Sequence, residues 1–333
     1  MVTGGDGYIG SHCVLALLDS GYDVLTFDNH STGHAQISDI ISKTETDGRF
    51  LGTFPGDLLN IGDIGRAFEK NDIGAVIHFA AFSQVAESME RPDIYYRNNF
   101  CGTMNLLDAM KDRGIDKIVF SSTAATYGEP QYVPIDENHP QKPINPYGRT
   151  KLAIEGMMDD YGRAYGIRSV RLRYFNVAGA DSECRIGEWH SPETHLIPNI
   201  LKSTFGNGRE FKLYGDDYDT RDGTCVRDYV NVEDLADAHI LALEYLLKGG
   251  KTDFFNLGTS EGSTVKEVFA ECERVTGRKI PLRVMGRRLG DPAQLVADNR
   301  KAREVLRWNP HRTLSDSIRT AWAWEKKRKE LFG

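Results

Sequence analysis

Thr3-Gly4-Gly5-Asp6-Gly7-Tyr8-Ile9-Gly10 is the stretch whose reading decides the fold. Gly4, Gly7 and Gly10 are spaced G-x-x-G-x-x-G, and the apolar pattern from Tyr8 to Leu18 predicts a helix directly behind them. Glycine lets a backbone approach a pyrophosphate closely, and a helix N-terminus offers it N–H donors and positive potential. A tight structural turn would need the same glycines, so the loop alone is a weak signal. Asp28 strengthens it. Its carboxylate ends the next strand about 20 residues on, where the adenine ribose hydroxyls of a dinucleotide are held. An acid there repels a 2′-phosphate and favours NAD over NADP. Only Met1 and Val2 precede the loop, so the first strand is expected to be short or to begin before Met1.

Outward from the loop, strand and helix patterns alternate. Asp23–Asp28, Ala75–Phe79, Lys117–Ser122 and Arg168–Phe175 read as strands, with helical stretches such as Cys13–Leu18 and Met104–Met110 between them. Short apolar runs alternating with helices predict an α/β fold, a Rossmann-type doubly wound parallel sheet. The pattern loosens after about residue 176. Gly179–Thr194 is polar and loop-like. Helices are expected near Leu196–Phe205, Val232–Leu247, Val265–Val275 and Leu314–Trp324, with a Thr264/Glu267 capping box on the third. This predicts two units, a dinucleotide-binding domain over 1–175 that takes back later segments and a smaller mixed α/β domain over 176–333. Ligands of open α/β sheets lie at the carboxyl ends of the strands, so the cleft between the two is the expected active site.

Bulk properties exclude several classes. The 333 residues are 40% hydrophobic and 27% charged, with a net charge of −7, as in ordinary globular proteins. There is no long basic stripe, so no nucleic-acid partner is expected. The Lys326-Lys327-Arg328-Lys329 run reads as a solvated helix end favoured by the macrodipole. No apolar run approaches the ~20 residues of a spanning helix, and no signal peptide is visible. Cys13, Cys101, Cys184, Cys225 and Cys272 are far apart and odd in number, fitting neither a disulfide framework nor a zinc site. A cytoplasmic protein with no membrane contact and no metal is expected.

The chemistry is carried by Tyr147-Gly148-Arg149-Thr150-Lys151. If that segment is helical, the phenol and the ammonium share one face. An isolated tyrosine has a pKa near ~10, so only about one molecule in a thousand is phenolate at pH 7. An ammonium ~5 Å away at an effective dielectric near ~20 contributes on the order of 3 kcal/mol, or about two pKa units. On this reasoning Lys151 lowers the pKa of Tyr147, which acts as general base near neutrality. Thr123, just past the strand-end Ser121-Ser122, is the candidate hydroxyl for holding the reacting oxygen, with Ser122 as runner-up. A surface i,i+4 pair would show the same Tyr–Lys spacing; the glycine loop upstream is what argues against it.

With these residues in place the chain resembles the extended short-chain dehydrogenase/reductase family, and within it the nucleotide-sugar 4-epimerases. The likeness runs nearly end to end, through GDL (56–58), VIHFAA (76–81), YYRNNFCGT (95–103), FSSTAATYGEP (120–130), NPYGRTK (145–151), LRYFNVAGA (172–180), HLIP (195–198) and RRLGDPAQLVAD (287–298). Its longest marker is YGDDYDTRDGTCVRDYVNVEDLADAH (214–239). The resemblance implies NAD contacts from Tyr8, Ile9, Asp28, Asn29, Asp57, Leu58, Phe79, Ala80, Ala81, Asn98, Tyr147, Lys151 and Phe175, with Gly4, Gly7, Gly10 and Ser83 beside them. It implies Tyr147 as base, Lys151 as its modulator and Thr123 as hydroxyl partner. It also implies a nucleotide-sugar site in which Asn176, His195 and Leu196 lie by the pyrophosphate and uracil, with Tyr214 by the uracil. Arg227 and Arg288 would clamp the diphosphate, and Asp291 would take the uridine ribose.

The implied reaction interconverts UDP-galactose and UDP-glucose through a transient 4-keto sugar, with NAD as redox carrier and a UDP-hexose as partner. Epimerisation of UDP-N-acetylglucosamine, UDP-arabinose or UDP-glucuronate is the alternative, and a non-catalytic NAD sensor is a remote one. A 4,6-dehydratase would need carboxylates after Thr123, where Ala124, Ala125 and Thr126 stand. Ser83 and His195 depart from the usual pattern: many members have a lysine near the cofactor phosphates and an asparagine on the diphosphate. Leu295, near a position that sets tolerance for N-acetyl groups, leaves that preference open. The family also implies a homodimer, paired through segments such as Asn99–Met110 and Leu152–Tyr165.

Overall fold

A computed structural model describes residues 1–205, 210–288 and 291–332; Leu289 and Gly290 of the 287–298 motif lie outside them. The strands are β1 (Val2–Thr3), β2 (Val24–Asp28), β3 (Phe50–Pro55), β4 (Val76–His78), β5 (Lys117–Thr123), β6 (Arg168–Tyr174), β7 (Asn176–Ala178), β8 (Phe211–Tyr214), β9 (Val226–Asn231), β10 (Asp253–Leu257), β11 (Gly262–Thr264), β12 (Leu282–Met285) and β13 (Gln294–Leu295). Seven of them form one sheet in the order β10-β6-β5-β4-β1-β2-β3, every neighbouring pair parallel. This is the doubly wound α/β architecture the alternating pattern predicts.

Burial explains why these segments are strands. Every residue of β2 and nearly every residue of β5 and β6 is buried, as a sheet covered by helices on both faces requires. Alternation along β5 sends Val119 to one face and Ile118 and Phe120 to the other. Val119 joins a core with Val14 and Leu17 of the helix Tyr8–Asp19 and Leu235 and Leu243 of the helix Val232–Leu247. Ile118 and Phe120 join Ile64, Leu106, Leu107, Ile154 and Met158 from the helices Ile61–Lys70, Gly102–Asp112 and Pro146–Tyr165.

Two elements from the later half complete this body. The helix Val232–Leu247 packs on the helix Tyr8–Asp19, and the whole of β10 pairs with β6 from Asp253↔Val170 to Leu257↔Tyr174. Most of the rest of the later half surrounds a separate core that includes Ile197, Ile200, Leu213, Tyr229, Val268 and Trp322, while Ile186, Ala302, Leu306 and Trp308 pack into the core around Val119. There β9 pairs with β7, β11 and β13, and β8 pairs with β12. The helices Leu196–Ser203, Val265–Thr276 and Leu314–Phe332 pack around it, the last running about two turns beyond the segment read from sequence. Thr264 and Glu267 form the expected capping box: Glu267 N donates to Thr264 Oγ1 at 3.0 Å, and Thr264 N donates to a Glu267 carboxylate oxygen at 2.8 Å.

Candidate active site

The carboxyl ends of β1, β2, β4 and β5 open into one cleft of about 1450 Å³, and the second lobe forms its far wall. On the sheet side, Gly7 is the N-cap of the helix Tyr8–Asp19 and no side chain caps it, so the first N–H groups of that helix are left to the cleft. The glycine spacing has a steric reason: a Cβ on Gly10 would stand 2.1 Å from the Gly4 carbonyl oxygen. Asp28 ends β2 and is buried; its two carboxylate oxygens accept from Asp6 N at 3.0 Å and His30 N at 2.8 Å. Asn29 donates to Asp57 at 3.1 Å. The uncapped helix start, the glycine backbone and the carboxylates of Asp28 and Asp57 form a donor and acceptor set that fits a dinucleotide.

The residues expected at the cofactor, Gly4, Gly7, Tyr8, Ile9, Gly10, Asp28, Asn29, Asp57, Leu58, Phe79, Ala80, Ala81, Ser83, Asn98, Tyr147, Lys151 and Phe175, all line this cleft. So do Thr123, Asn176, His195, Leu196, Tyr214, Arg227, Arg288 and Asp291. Residues far apart in the chain therefore meet in one place. Leu295 does not line the cleft.

Tyr147 and Lys151 lie in the first turns of the helix Pro146–Tyr165, whose N-cap Asn145 accepts from Gly148 N at 2.8 Å. That helix start crosses the tip of β5 so closely that a Cβ on Gly148 would meet the Ala125 carbonyl oxygen at 2.4 Å. The approach brings Tyr147 and Thr123 to the same part of the cleft wall, where the Thr123 hydroxyl acts on the phenol. Lys151 is 2% exposed; its Nζ donates to the Ser121 carbonyl at 2.8 Å and lies 6.0 Å from the Tyr147 ring centroid.

The electrostatics correct one expectation. Lys151 was expected to pull Tyr147 down by about two pKa units. Among the protein's own groups burial wins instead: it pushes Tyr147 up to about 12, and the Thr123 hydrogen bond is what opposes it. Burial also lowers Lys151 to about 7, with the Glu155 carboxylate pulling the other way. Both side chains are buried, so each loses the water that would stabilise its charged form. Ser122, the runner-up hydroxyl, faces away from the cleft and donates to buried Glu155.

On the second lobe, Arg227 donates to Asp291 at 2.9 Å, and Arg288 stacks on the Tyr214 ring at 4.0 Å. Two pairings not read from sequence shape the walls. Buried Asn99 accepts from Phe82 N at 2.8 Å and donates to Phe82 O at 2.9 Å, fixing the turn beside Ser83. Glu188, His190 and Glu193 cluster with His195 on the cleft wall, their donor atoms all within 4.8 Å of one another. The spacing Glu188-x-His190-x-x-Glu193-x-His195 is the available signal; its first three residues fall in the loop-like stretch Gly179–Thr194, and His195 was read only for its place by the diphosphate.

Comparison with known proteins places this cleft in a lineage. A family model described as GDP-mannose 4,6 dehydratase matches residues 1–321. The turn after Thr123, Ala124–Thr126, has none of the carboxylates that elimination of water would use. The UDP-glucose 4-epimerase of Rhizobium leguminosarum bv. trifolii is 50% identical over 327 residues, 98% of this chain and 97% of that one. The crystal structure of UDP-glucose 4-epimerase from Brucella ovis in complex with NAD aligns with a TM-score of 0.91 at 46% identity, covering 96% of each chain. That of the Bifidobacterium longum enzyme in complex with NAD⁺ and UDP aligns with a TM-score of 0.93 at 37% identity, covering 99% of each. Identity at this level over the whole length means that the chain belongs to the UDP-glucose 4-epimerase family of extended short-chain dehydrogenases/reductases.

Proposed function

We infer that this protein is an NAD-dependent epimerase that interconverts UDP-galactose and UDP-glucose at C4 of the sugar. The observation that carries the reading is the meeting of Tyr147, Thr123 and Lys151 at the tip of β5, in one cleft with the uncapped glycine-loop helix and the arginines of the second lobe. NAD, when bound, supplies the two-electron oxidation and re-reduction of C4.

The chain's own residues do the rest. Tyr147 accepts the proton of the sugar 4-hydroxyl and later returns it, while the Thr123 hydroxyl orients the same oxygen. Lys151 lends positive charge to the phenol's surroundings when protonated, which favours the phenolate. Arg227 and Arg288 grip the diphosphate, for which guanidinium forks are suited. Asp291, already paired with Arg227, takes the uridine ribose hydroxyls, and Tyr214 lies by the uracil. Because the anchor is the nucleotide, the sugar is free to turn its other face once C4 is flat, and the configuration is inverted on the way back.

The same reading makes the protein a cytoplasmic homodimer. Five unpaired cysteines suit a reducing compartment, and no described helix is long and apolar enough to cross a membrane. The helices Gly102–Asp112 and Pro146–Tyr165 pack side by side and leave Met104 and Tyr165 exposed, which supports pairing through that face. Mass measurement in solution checks it.

Incubating the purified protein with UDP-galactose and no added cofactor, and following UDP-glucose by chromatography, tests the activity. Conversion supports both epimerisation and a retained NAD. Activity only after NAD is added identifies a loosely held cofactor, with Ser83 the first residue to examine. Silence in both cases, but turnover of UDP-N-acetylglucosamine or a UDP-pentose, moves the substrate assignment to that sugar.

A further inference from the structure

The segment Glu188–His195 joins the cleft wall to the helix Leu196–Ser203. Its four ionisable side chains point inward on each other. His195 Nδ1 lies 2.8 Å from Glu188 Oε1 and 3.0 Å from Glu193 Oε1; His190 Nδ1 lies 3.2 Å from Glu188 Oε1 and 3.8 Å from Glu193 Oε2. The side chains of Glu188 and Glu193 are 6% and 5% exposed.

Hydrogen bonds satisfy His195, whose Nδ1 bonds to Glu193, and leave His190 Nδ1 without a partner. Both Nδ1 atoms crowd the same oxygen of Glu188. His190 Nδ1 is buried yet makes no hydrogen bond, because its approach to the carboxylates fails on geometry. Lys202 reaches Glu193 only at 3.5 Å. Two buried carboxylates and two imidazole nitrogens converge on one point with one donor left idle. A single divalent cation at that point would engage all four groups and cancel both negative charges.

The dimensions select the ion. Zinc bonds to imidazole nitrogen and carboxylate oxygen of about 2.0–2.1 Å set the edges of a tetrahedron at roughly 3.3 Å. Four nitrogen–oxygen separations run from 2.8 to 3.8 Å, and one ligand atom from each residue lies within 4.8 Å of the others, so an ion would draw the four atoms in to that edge. Two nitrogens with two oxygens suit zinc, whereas magnesium and calcium demand six or more oxygens. We propose that Glu188, His190, Glu193 and His195 form a tetrahedral zinc site.

Its place in the fold gives the ion a job. The Trp189 ring stacks on His34 at 3.8 Å and on Phe332 at 4.6 Å, and Trp324 Nε1 donates to the Glu188 carbonyl at 3.0 Å. Tyr8 of the glycine loop meets His190 edge-on at 6.2 Å. Zinc here ties the cofactor loop, the C-terminal helix and the start of the helix Leu196–Ser203 into one wall. The site holds that wall in position and takes no part in the redox step.

Elemental analysis of protein purified without chelators or metal-affinity resin tests the proposal directly, with one zinc per chain as the expected content. The chelator-stripped protein is then titrated with zinc against a competing chromophoric chelator, and with cobalt(II) for its visible spectrum. The parent should show cobalt bands of tetrahedral intensity. His190→Ala and Glu193→Gln should lose them and bind zinc about tenfold or more weakly, with circular dichroism unchanged. Should His190→Ala fail to fold, His195→Ala takes its place, since that side chain is 44% exposed. Substoichiometric zinc in the parent, a cobalt spectrum of octahedral strength, or affinity equal in parent and variants would each overturn the site and leave a proton-bridged ion cluster.

Discussion

Lys151 Nζ donates to the backbone carbonyl of Ser121 at 2.8 Å, so the ammonium of the helix Pro146–Tyr165 is fastened to the strand whose tip carries Thr123. The hydroxyl, the phenol and the ammonium are thus set by one junction between β5 and the helix Pro146–Tyr165. The ammonium is held by the sheet, 6.0 Å from the centre of the phenol ring.

Replacing Tyr147 by Phe removes the proton acceptor and leaves the ring. Turnover should fall by about 10²–10⁴-fold, while the cofactor content of the purified protein stays as in the parent. A variant that retains a rate within about tenfold of the parent would remove Tyr147 from the base role. In the parent, burial holds the phenol up, so the rate should climb as pH rises from neutrality and the phenolate fraction grows.

The folded pKa of Lys151, about 7, lies below the 10.5 of a free lysine. Between these values the unfolded chain binds a proton that the native state does not. Stability therefore rises with pH across that window, and the cost of burying the charge is greatest below about 7. Lys151→Met removes the cost. With cofactor stripped from both proteins, the variant should melt above the parent at pH 6, and the gap should close towards pH 10. A gap that is constant with pH would show that Lys151 is not lowered in the fold.

Gly148→Ala tests the junction without touching a reacting group. The added methyl meets the Ala125 carbonyl, and the helix start must back away from β5. A displacement on the order of 1 Å at Tyr147 costs about 10²-fold in turnover. Kinetics should show that loss mainly in kcat, with the far-ultraviolet circular dichroism of the parent retained.

Beneath the site, Glu155 and Arg173 form an ion pair whose side chains are 3% and 4% exposed, with Arg173 also donating to the Tyr127 hydroxyl at 3.0 Å. Glu155→Ala leaves a buried guanidinium and the Ser122 hydroxyl without their partner. A loss of about 3–5 kcal/mol is expected, read from urea unfolding at unchanged slope. A change under about 1 kcal/mol would mean that water reaches Arg173.

Much of the site was legible because its residues sit at element ends that local pattern marks: Asp28 where an apolar run stops, Thr123 where the next does, Tyr147 and Lys151 one helical turn apart. The elements that escaped reading carry weaker local signals. In β3, Phe50–Pro55, no residue is fully buried and two are exposed, so no apolar run announces it. The short helix Ala35–Thr44 buries only Ile37 and Ile41, too few for a clear period. The pKa of Tyr147 and the gathering of Glu188 with its histidines depend on what folds over them, which spacing along a chain does not encode.

The edge position of β10 has a bearing on how the protein is made. Synthesis runs from the N-terminus, so β6 emerges well before residues 253–257 exist to pair with it. During that interval its outer row of N–H and C=O groups is open, and open edges of apolar strands recruit other chains. Chaperone demand and inclusion-body formation should therefore concentrate in the time needed to translate the roughly eighty residues from the end of β6 to the start of β10.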